Sequence, residues 1–257
     1  MPDHAQLWAV HMPYPANGAR SSPDRWPDRW TDYLAQDEVA RAQRYRCAED
    51  RARFITARLA LRGLLARYLG ASPQSIDFSY NAFGKPLLPA APLEFNLAHS
   101  GSYAVIAVTQ SHHIGIDIEC HRDLPDRDDV AAQIFSADER RSYDQLPESA
   151  RLSAFYRAWT CKEAVVKALG RGLQFPVQSC VVALESDKPA RLIRLGEDSV
   201  AAQHWRLHEF SVAPGYSGCV AVAGAGDSFR WPGLNWITLV DLFRGLPPSQ
   251  DGARLEA

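Results

Sequence analysis

Gly115-Ile116-Asp117-Ile118-Glu119 is the stretch around which this chain of 257 residues is organised. Ile116 and Ile118 alternate with Asp117 and Glu119, the period-2 pattern of a half-buried strand, so the two carboxylates leave one face side by side. Such neighbours repel unless a cation sits between them. A hard divalent ion such as Mg²⁺ suits that need, because it takes a few carboxylates and then substrate phosphates. Further along, Trp159-Thr160-Cys161-Lys162-Glu163 reads as helix, and Glu163 offers a third oxygen ligand. The competing reading is a solvated outer face, the ordinary place for two acids in this register.

Composition sets bounds. The chain is 46% hydrophobic with a formal net charge of −2, as expected of a soluble globular protein of one or two domains. That charge supports no argument for nucleic acid or a membrane surface. Cys47, Cys120, Cys161, Cys180 and Cys219 form no C-x-x-C pair and are odd in number. Neither a disulfide framework nor a zinc ribbon is expected, and reduced thiols in the cytoplasm fit better. No signal peptide is expected at the N-terminus, and no apolar run approaches the ~18–20 residues of a membrane span.

In order along the chain, residues 7–12 read as a strand and 13–27 as an irregular Pro-rich segment, followed by helices over 31–45 and 48–69. The second helix carries Phe54, Leu61, Leu65 and Tyr68 on one stripe, and Gly70 closes it. Eight arginines lie between Arg41 and Arg67 against two acids, Glu49 and Asp50. Arg51, Arg58 and Arg62 share a stripe that reads either as a solvated basic face or as an anion site. Ile76, Phe78 and Tyr80 alternate as a strand, and Asn81 to Pro86 forms a turn carrying Lys85. Residues 93–99 and 103–108 are strands around Ser100-Gly101-Ser102, which puts His99 at a strand end as a packed turn residue or a ligand. Residues 120–130 read as a loop. Ser136-Ala137-Asp138-Glu139 has capping-box form, and a helix over 149–169 ends at Gly170. On that helix Trp159 packs toward the core, and Glu163 and Lys167 are spaced for an ordinary surface ion pair. Strands follow at 180–184, 191–195, 205–212 and 219–223. Trp231, Trp236 and residues 239–243 read as one short amphipathic helix, and the last ten residues as a polar end.

Glu94-Phe95-Asn96-Leu97-Ala98 resembles Glu209-Phe210-Ser211-Val212-Ala213, and Val105-Ile106-Ala107-Val108 resembles Cys219-Val220-Ala221-Val222. The offsets are 115 and 114 residues, so one deletion aligns both pieces. The fold class expected is α+β: a pseudo-dimer of two similar α+β halves, residues 1–112 and 113–227, with an active-site cleft at their interface and a C-terminal extension over 228–257.

Taken in order, Gly84-Lys85-Pro86, Phe95-Asn96-Leu97-Ala98-His99-Ser100, Gly115-Ile116-Asp117-Ile118-Glu119 and Phe155-x-x-x-Trp159-Thr160-x-Lys162-Glu163-Ala164-x-x-Lys167 resemble the motif set of the 4′-phosphopantetheinyl transferases, in the long single-chain Sfp type. The resemblance covers roughly residues 5–225. It implies Mg²⁺ held by Asp117, Glu119 and Glu163, and catalytic roles for Glu163, Lys167 and Lys162, with Glu163 as proton acceptor directly or through a metal-bound water. It also implies coenzyme A bound by Arg53, Arg41, Lys85, Pro86, His99, Ser100, Asp117, Lys162 and Lys167. Of these, Lys85, His99, Lys162 and Lys167 meet phosphates, and Arg53 and Arg41 meet the 3′-phosphate. The partners implied are apo acyl- or peptidyl-carrier proteins, without nucleic acid or membrane, for a cytoplasmic monomer. Ala98 departs from the family pattern, where many members have serine, and Glu38 departs from a lysine. Two other readings remain open: a Mg²⁺-dependent transferase or hydrolase of another nucleotide diphosphate, and a non-catalytic relative that binds coenzyme A or a carrier.

Overall fold

Residues 4–12, 30–89, 91–110, 112–185, 188–226, 229–231 and 233–244 are described by a computed structural model. The irregular segment expected over 13–27 and the polar end lie outside them. In chain order the elements are β1 (Gln6–His11), α1 (Gln36–Arg44), α2 (Ala48–Leu69), β2 (Ser79–Tyr80), β3 (Pro86–Leu87), β4 (Glu94–Ser100), β5 (Tyr103–Thr109) and β6 (Ile114–Cys120). There follow α3 (Arg127–Ile134), α4 (Ala137–Asp144), α5 (Glu148–Leu169), β7 (Cys180–Val182), β8 (Leu192–Leu195), α6 (Ser199–Gln203), β9 (Trp205–Phe210), β10 (Tyr216–Ala223), β11 (Leu234–Trp236) and α7 (Leu239–Phe243). The class is α+β, as expected. Among the described residues no helix is long and apolar enough to cross a membrane, and the five cysteines are free thiols.

Two compact units emerge: Met1–Ala9, Ser79–Gly101 and Val105–Asn235 form one, and Val10–Phe78, Ser102–Ala104 and Trp236–Ala257 the other. The partition does not follow the division at residue 112, because β4 is tied by side chains to β6. Asn96 Oδ1 accepts from the Ile116 amide at 2.8 Å, and Ser100 Oγ accepts from the Cys120 amide at 3.0 Å.

The second unit is built on α2, which buries nearly every residue from Phe54 to Ala66 rather than the single stripe expected. Arg62 is among them at 2% exposure. A buried guanidinium needs a counter-charge and a partner for each N–H. Arg62 Nε donates to Glu38 at 2.5 Å, and its Nη1 donates to the Pro73 and Ile76 carbonyls at 2.7 and 2.9 Å. Arg58 also donates to Glu38, and both guanidiniums lie over the Phe78 ring. Arg58 and Arg62 are therefore neither a solvated face nor an anion site; they cement α1 to α2. The strand expected from residue 76 shrinks to Ser79–Tyr80, since Ile76 closes a 3₁₀ turn and Phe78 lies beneath the arginines. The helix expected over 31–45 is a 3₁₀ turn, Trp30–Tyr33, followed by α1. Trp236 lies in β11, not in the helix expected there.

In the first unit β10 is the middle strand of β6-β10-β9 and pairs antiparallel with both neighbours, setting Asp117 opposite Cys219 and Glu119 opposite Ser217. The other large sheet runs β11-β1-β5-β4. Helix α5 lies over β6 and β10 and ends on Gly170, whose φ of 67° lies in the left-handed region that glycine adopts at little cost. Ser136 and Glu139 form the expected capping box at the start of α4. α3 begins inside the expected loop, and α6 was not anticipated, although Asp198 caps it by accepting from the Val200 and Ala201 amides. β10 matches the repeat with β5, whereas β9 ends at Phe210 while β4 runs through its whole repeated segment.

Gly115 fixes the distance between α5 and β6. A Cβ there would fall inside the contact radii of the Ala164 carbonyl oxygen and the Ala168 nitrogen, both helix backbone. Backbone cannot rotate aside as a side-chain tip can, so Gly115→Ala should cost more than about 3 kcal/mol, beyond ordinary overpacking. Urea unfolding measures this, and a loss under about 1 kcal/mol would show that the helix can lift off the strand freely.

Candidate active site

Strand β6 is buried on both faces, not one: Ile116, Asp117 and Ile118 are all enclosed, and Glu119 is half-buried. Asp117, at 4% exposure, is therefore not on a solvated face. Lys167 Nζ donates to its Oδ1 at 2.6 Å, while its Oδ2 is buried with no hydrogen-bond partner. Burial pushes the Asp117 carboxyl up to about 7, against the pull of Lys167 and with the negative charges of Glu119 and Glu163 adding to the rise. Burial also raises Glu163; Lys167 opposes that shift and Glu119 reinforces it. The three carboxylates and Lys167 thus share one electrostatic neighbourhood. The i,i+4 pair expected between Glu163 and Lys167 is replaced by the ion pair of Lys167 with Asp117.

Helix and strand periods explain the convergence. Asp117 and Glu119 alternate along β6, His121 continues the alternation one residue past its end, and Tyr156, Glu163 and Lys167 recur along one face of α5. At the far end of the row, the His121 ring stacks on Tyr156 with centroids 4.7 Å apart, and its Nε2 lies 2.8 Å from Ser217 Oγ. Sequence reasoning passed over His121, although it continues the alternation two residues beyond Glu119. Ser100 Oγ donates to Glu119 Oε2 at 2.8 Å, and neighbouring His99 is exposed. Trp159 stacks on Phe155 and packs against the core, as expected.

Among the described residues, no group of three His, Cys, Asp or Glu is arranged to hold a metal ion. The chemistry of the set still suits a hard cation. Three carboxylates crowd together, with Glu119 and Glu163 adding to the rise at Asp117 and Glu119 to that at Glu163, and one buried carboxylate oxygen lacks any donor. Mg²⁺ binds through one or two carboxylates plus substrate phosphates and water, so it does not need an all-protein cage.

Two of the lysines expected to meet phosphate do other work. Lys162 is fully enclosed, and its ammonium donates to Glu139 Oε2 at 2.9 Å, to the Val177 carbonyl at 3.3 Å and to the Cys180 carbonyl. Its three protons are all used, so the phosphate and catalytic roles expected of it are withdrawn. Lys85 Nζ donates to the Ile114 and Ala168 carbonyls at 3.2 and 3.1 Å and lies 3.8 Å from Glu94. Burial lowers its pKa, and it ties the β2–β3 hairpin to β6 and α5. Pro86 opens β3 opposite Tyr80. Arg53 and Arg41 belong to the second unit, where Arg53 pairs with Glu49 and Asp50, and the Arg41 guanidinium lies 5.2 Å from the Phe54 ring centre.

Lys162→Ala strands Glu139 in the core and should cost about 3–5 kcal/mol. The folded fraction should keep wild-type coenzyme A affinity by calorimetry; weakened binding with intact stability would restore a phosphate role. For Asp117 the sign is set by a pKa that rises from 3.8 to about 7 on folding. Between those values the metal-free folded protein holds a proton that the unfolded chain has released, so stability falls as pH rises, by at most about 4 kcal/mol at about 1.4 kcal/mol per pH unit. Urea unfolding in chelator at about pH 5 and about pH 7.5 should show the fall in wild type and a smaller one in Asp117→Asn. Equal falls would remove Asp117 as its source.

Residues 113–221 match the family model described as the 4′-phosphopantetheinyl transferase superfamily, and residues 21–111 match that of the 4′-phosphopantetheinyl transferase N-terminal region. The chain is similar to 4′-phosphopantetheinyl transferase HetI of Nostoc, with 34% identity over 87% of this chain and 90% of the relative. It is also similar to 4′-phosphopantetheinyl transferase Sfp of Bacillus subtilis, with 30% identity over 85% of this chain and 92% of the relative. A solved structure of Thermotoga maritima holo-[acyl-carrier-protein] synthase aligns over 44% of this chain and 64% of its own, with 20% identity and a TM-score of 0.36, too low to bear on the fold. From the two matched models and the near full-length similarity, this chain belongs to the 4′-phosphopantetheinyl transferase superfamily.

Proposed function

We propose that this chain moves the 4′-phosphopantetheine arm of coenzyme A onto a serine of an acyl- or peptidyl-carrier protein and releases adenosine 3′,5′-bisphosphate. The observation that carries the reading is the buried cluster of Asp117, Glu119, Glu163 and Lys167, with one carboxylate oxygen left without a donor. The serine oxygen forms a bond to the phosphorus bearing the pantetheine arm, and the bond from that phosphorus to the oxygen bridging the pyrophosphate breaks. The bridging oxygen leaves with the bisphosphate. Positioning and charge stabilisation dominate such a transfer.

A serine hydroxyl needs a proton acceptor, and Glu163 fills that role, directly or through water. Burial has already raised its pKa, which makes it a stronger base than an exposed glutamate. Lys167 opposes the charge that develops on the leaving oxygen, and exposed His99 meets the phosphates. Asp117, Glu119 and Glu163 would hold Mg²⁺, which supplies a counter-charge for the pyrophosphate. Arg53 and Arg41 are assigned to the 3′-phosphate, and Pro86 to the remainder of coenzyme A. The reading includes duplicated halves over 1–112 and 113–227 with the cleft between them, a monomer in the cytoplasm, and carrier docking at residues 120–130 and beyond Gly170. The recurrence of β5 as β10 supports the duplication.

Incubating a panel of apo-carriers with coenzyme A and Mg²⁺ should add the mass of one phosphopantetheine to at least one carrier serine. Glu163→Gln should leave coenzyme A binding measurable and transfer at least about 100-fold more slowly, the usual scale of a positioned base. Consumption of coenzyme A without gain of carrier mass would instead favour a hydrolase, and near-normal transfer by the variant would remove Glu163 from the chemistry.

A further inference from the structure

We infer that Ser100 is a positioning residue for the Glu119 carboxylate rather than a contact for coenzyme A, and that with Asn96 it suspends β6 beside β4. The inference rests on the reading of Asp117, Glu119 and Glu163 as a cation site. A hydroxyl has one proton and two lone pairs. Ser100 Oγ gives its proton to Glu119 Oε2 at 2.8 Å and accepts from the Cys120 amide at 3.0 Å. Nothing is left to offer an anionic phosphate except a lone pair, which phosphate oxygens repel.

The backbone shows why the bridge is needed. The His121 amide donates to the Gly215 carbonyl, and the Ala223 amide to the His113 carbonyl, so odd-numbered residues of this stretch bond toward β10. The amides of even-numbered residues 116, 118 and 120 therefore point the other way, toward β4. Asn96 Oδ1 takes the first at 2.8 Å and Ser100 Oγ takes the third. Both bridges join residues 20 apart in number, so β4 and β6 run in the same direction. The same offset sets Ala98 opposite the middle amide, and alanine has no side-chain acceptor to offer it. Asp117 lies between the two anchored positions, and Glu119 is held at the second.

Mn²⁺ serves as the probe, titrated by electron paramagnetic resonance into metal-free protein without coenzyme A. Ser100→Ala should weaken Mn²⁺ binding at least about 10-fold, as loss of a group that orients a metal ligand does. Ser100→Thr, which keeps the hydroxyl, should restore it. Coenzyme A affinity measured by calorimetry in chelator should stay within about 2-fold for both, since no cofactor contact is lost. Should Ser100→Ala fail to fold, Ser100→Cys keeps the volume but donates only weakly, and carries the same expectation. Unchanged Mn²⁺ affinity in the variants, or weaker metal-free coenzyme A binding with Mn²⁺ unaffected, would overturn the inference while leaving the cation site standing. Failure of wild type to bind Mn²⁺ at all would overturn the cation site, and the inference with it.

Discussion

The close approach of α5 to β6 at Gly115 is the constraint from which the site follows. With no Cβ in the way, helix backbone rests on strand backbone. That contact brings the Glu163 and Lys167 face of α5 onto the side chains alternating along β6. A larger residue at 115 would lift the helix, and Lys167 would no longer reach Asp117. The glycine thus sets which charges meet, and burial by the same contact sets how strongly they act on one another.

Three clusters of buried charge occur among the described residues, and their differences mark the functional one. Glu38 with Arg58 and Arg62 is closed in charge: both guanidiniums pair with the carboxylate and Arg62 also reaches two backbone carbonyls, although the buried Arg58 Nη2 makes no hydrogen bond. Glu139 with Lys162 is closed too, since Glu139 Oε1 also accepts from the Val182 amide at 2.8 Å and Oε2 from the Ser136 amide at 2.7 Å. Such groups hold elements together at a high desolvation cost and have no capacity left for a ligand. The Asp117 cluster is different. It carries three carboxylates to one ammonium, and one of its oxygens is unmatched. Folding alone would not retain that imbalance, which makes it the place where a cation and a phosphate ligand have something to complete.

Much of this was legible in the chain. Period-2 alternation placed Asp117 and Glu119 on one side of a strand, and Gly170 marked the end of the helix bearing Glu163. The role of Lys162 was misread, although helix geometry contained the correction. Lys162 and Lys167 are five residues apart, which separates them by about 140° around a helix, whereas Glu163 and Lys167 differ by only about 40°. Two lysines on nearly opposite faces cannot serve one site. Arg58 and Arg62 could not have been sorted this way. Their partner Glu38 lies a helix away, and nothing local to α2 says that a basic stripe is buried. The half-buried strand failed for a related reason: Ile116 and Ile118 are buried, and α5 covers the face that carries Asp117.

The edge between β4 and β6 shows how the seam beside the site is held. Backbone pairing would draw two strands to about 4.8 Å and merge their sheets, closing the row of amides that points out from β6. Asn96 and Ser100 satisfy those amides with side chains instead, so the edges lie alongside without a backbone ladder among the described residues. A side-chain bridge is longer than a ladder rung, and it can carry a second bond. Ser100 does so, accepting from the strand and donating to Glu119 at once. The hydroxyl that satisfies the strand edge also orients the acid, so the seam and the carboxylate geometry are set by the same atom.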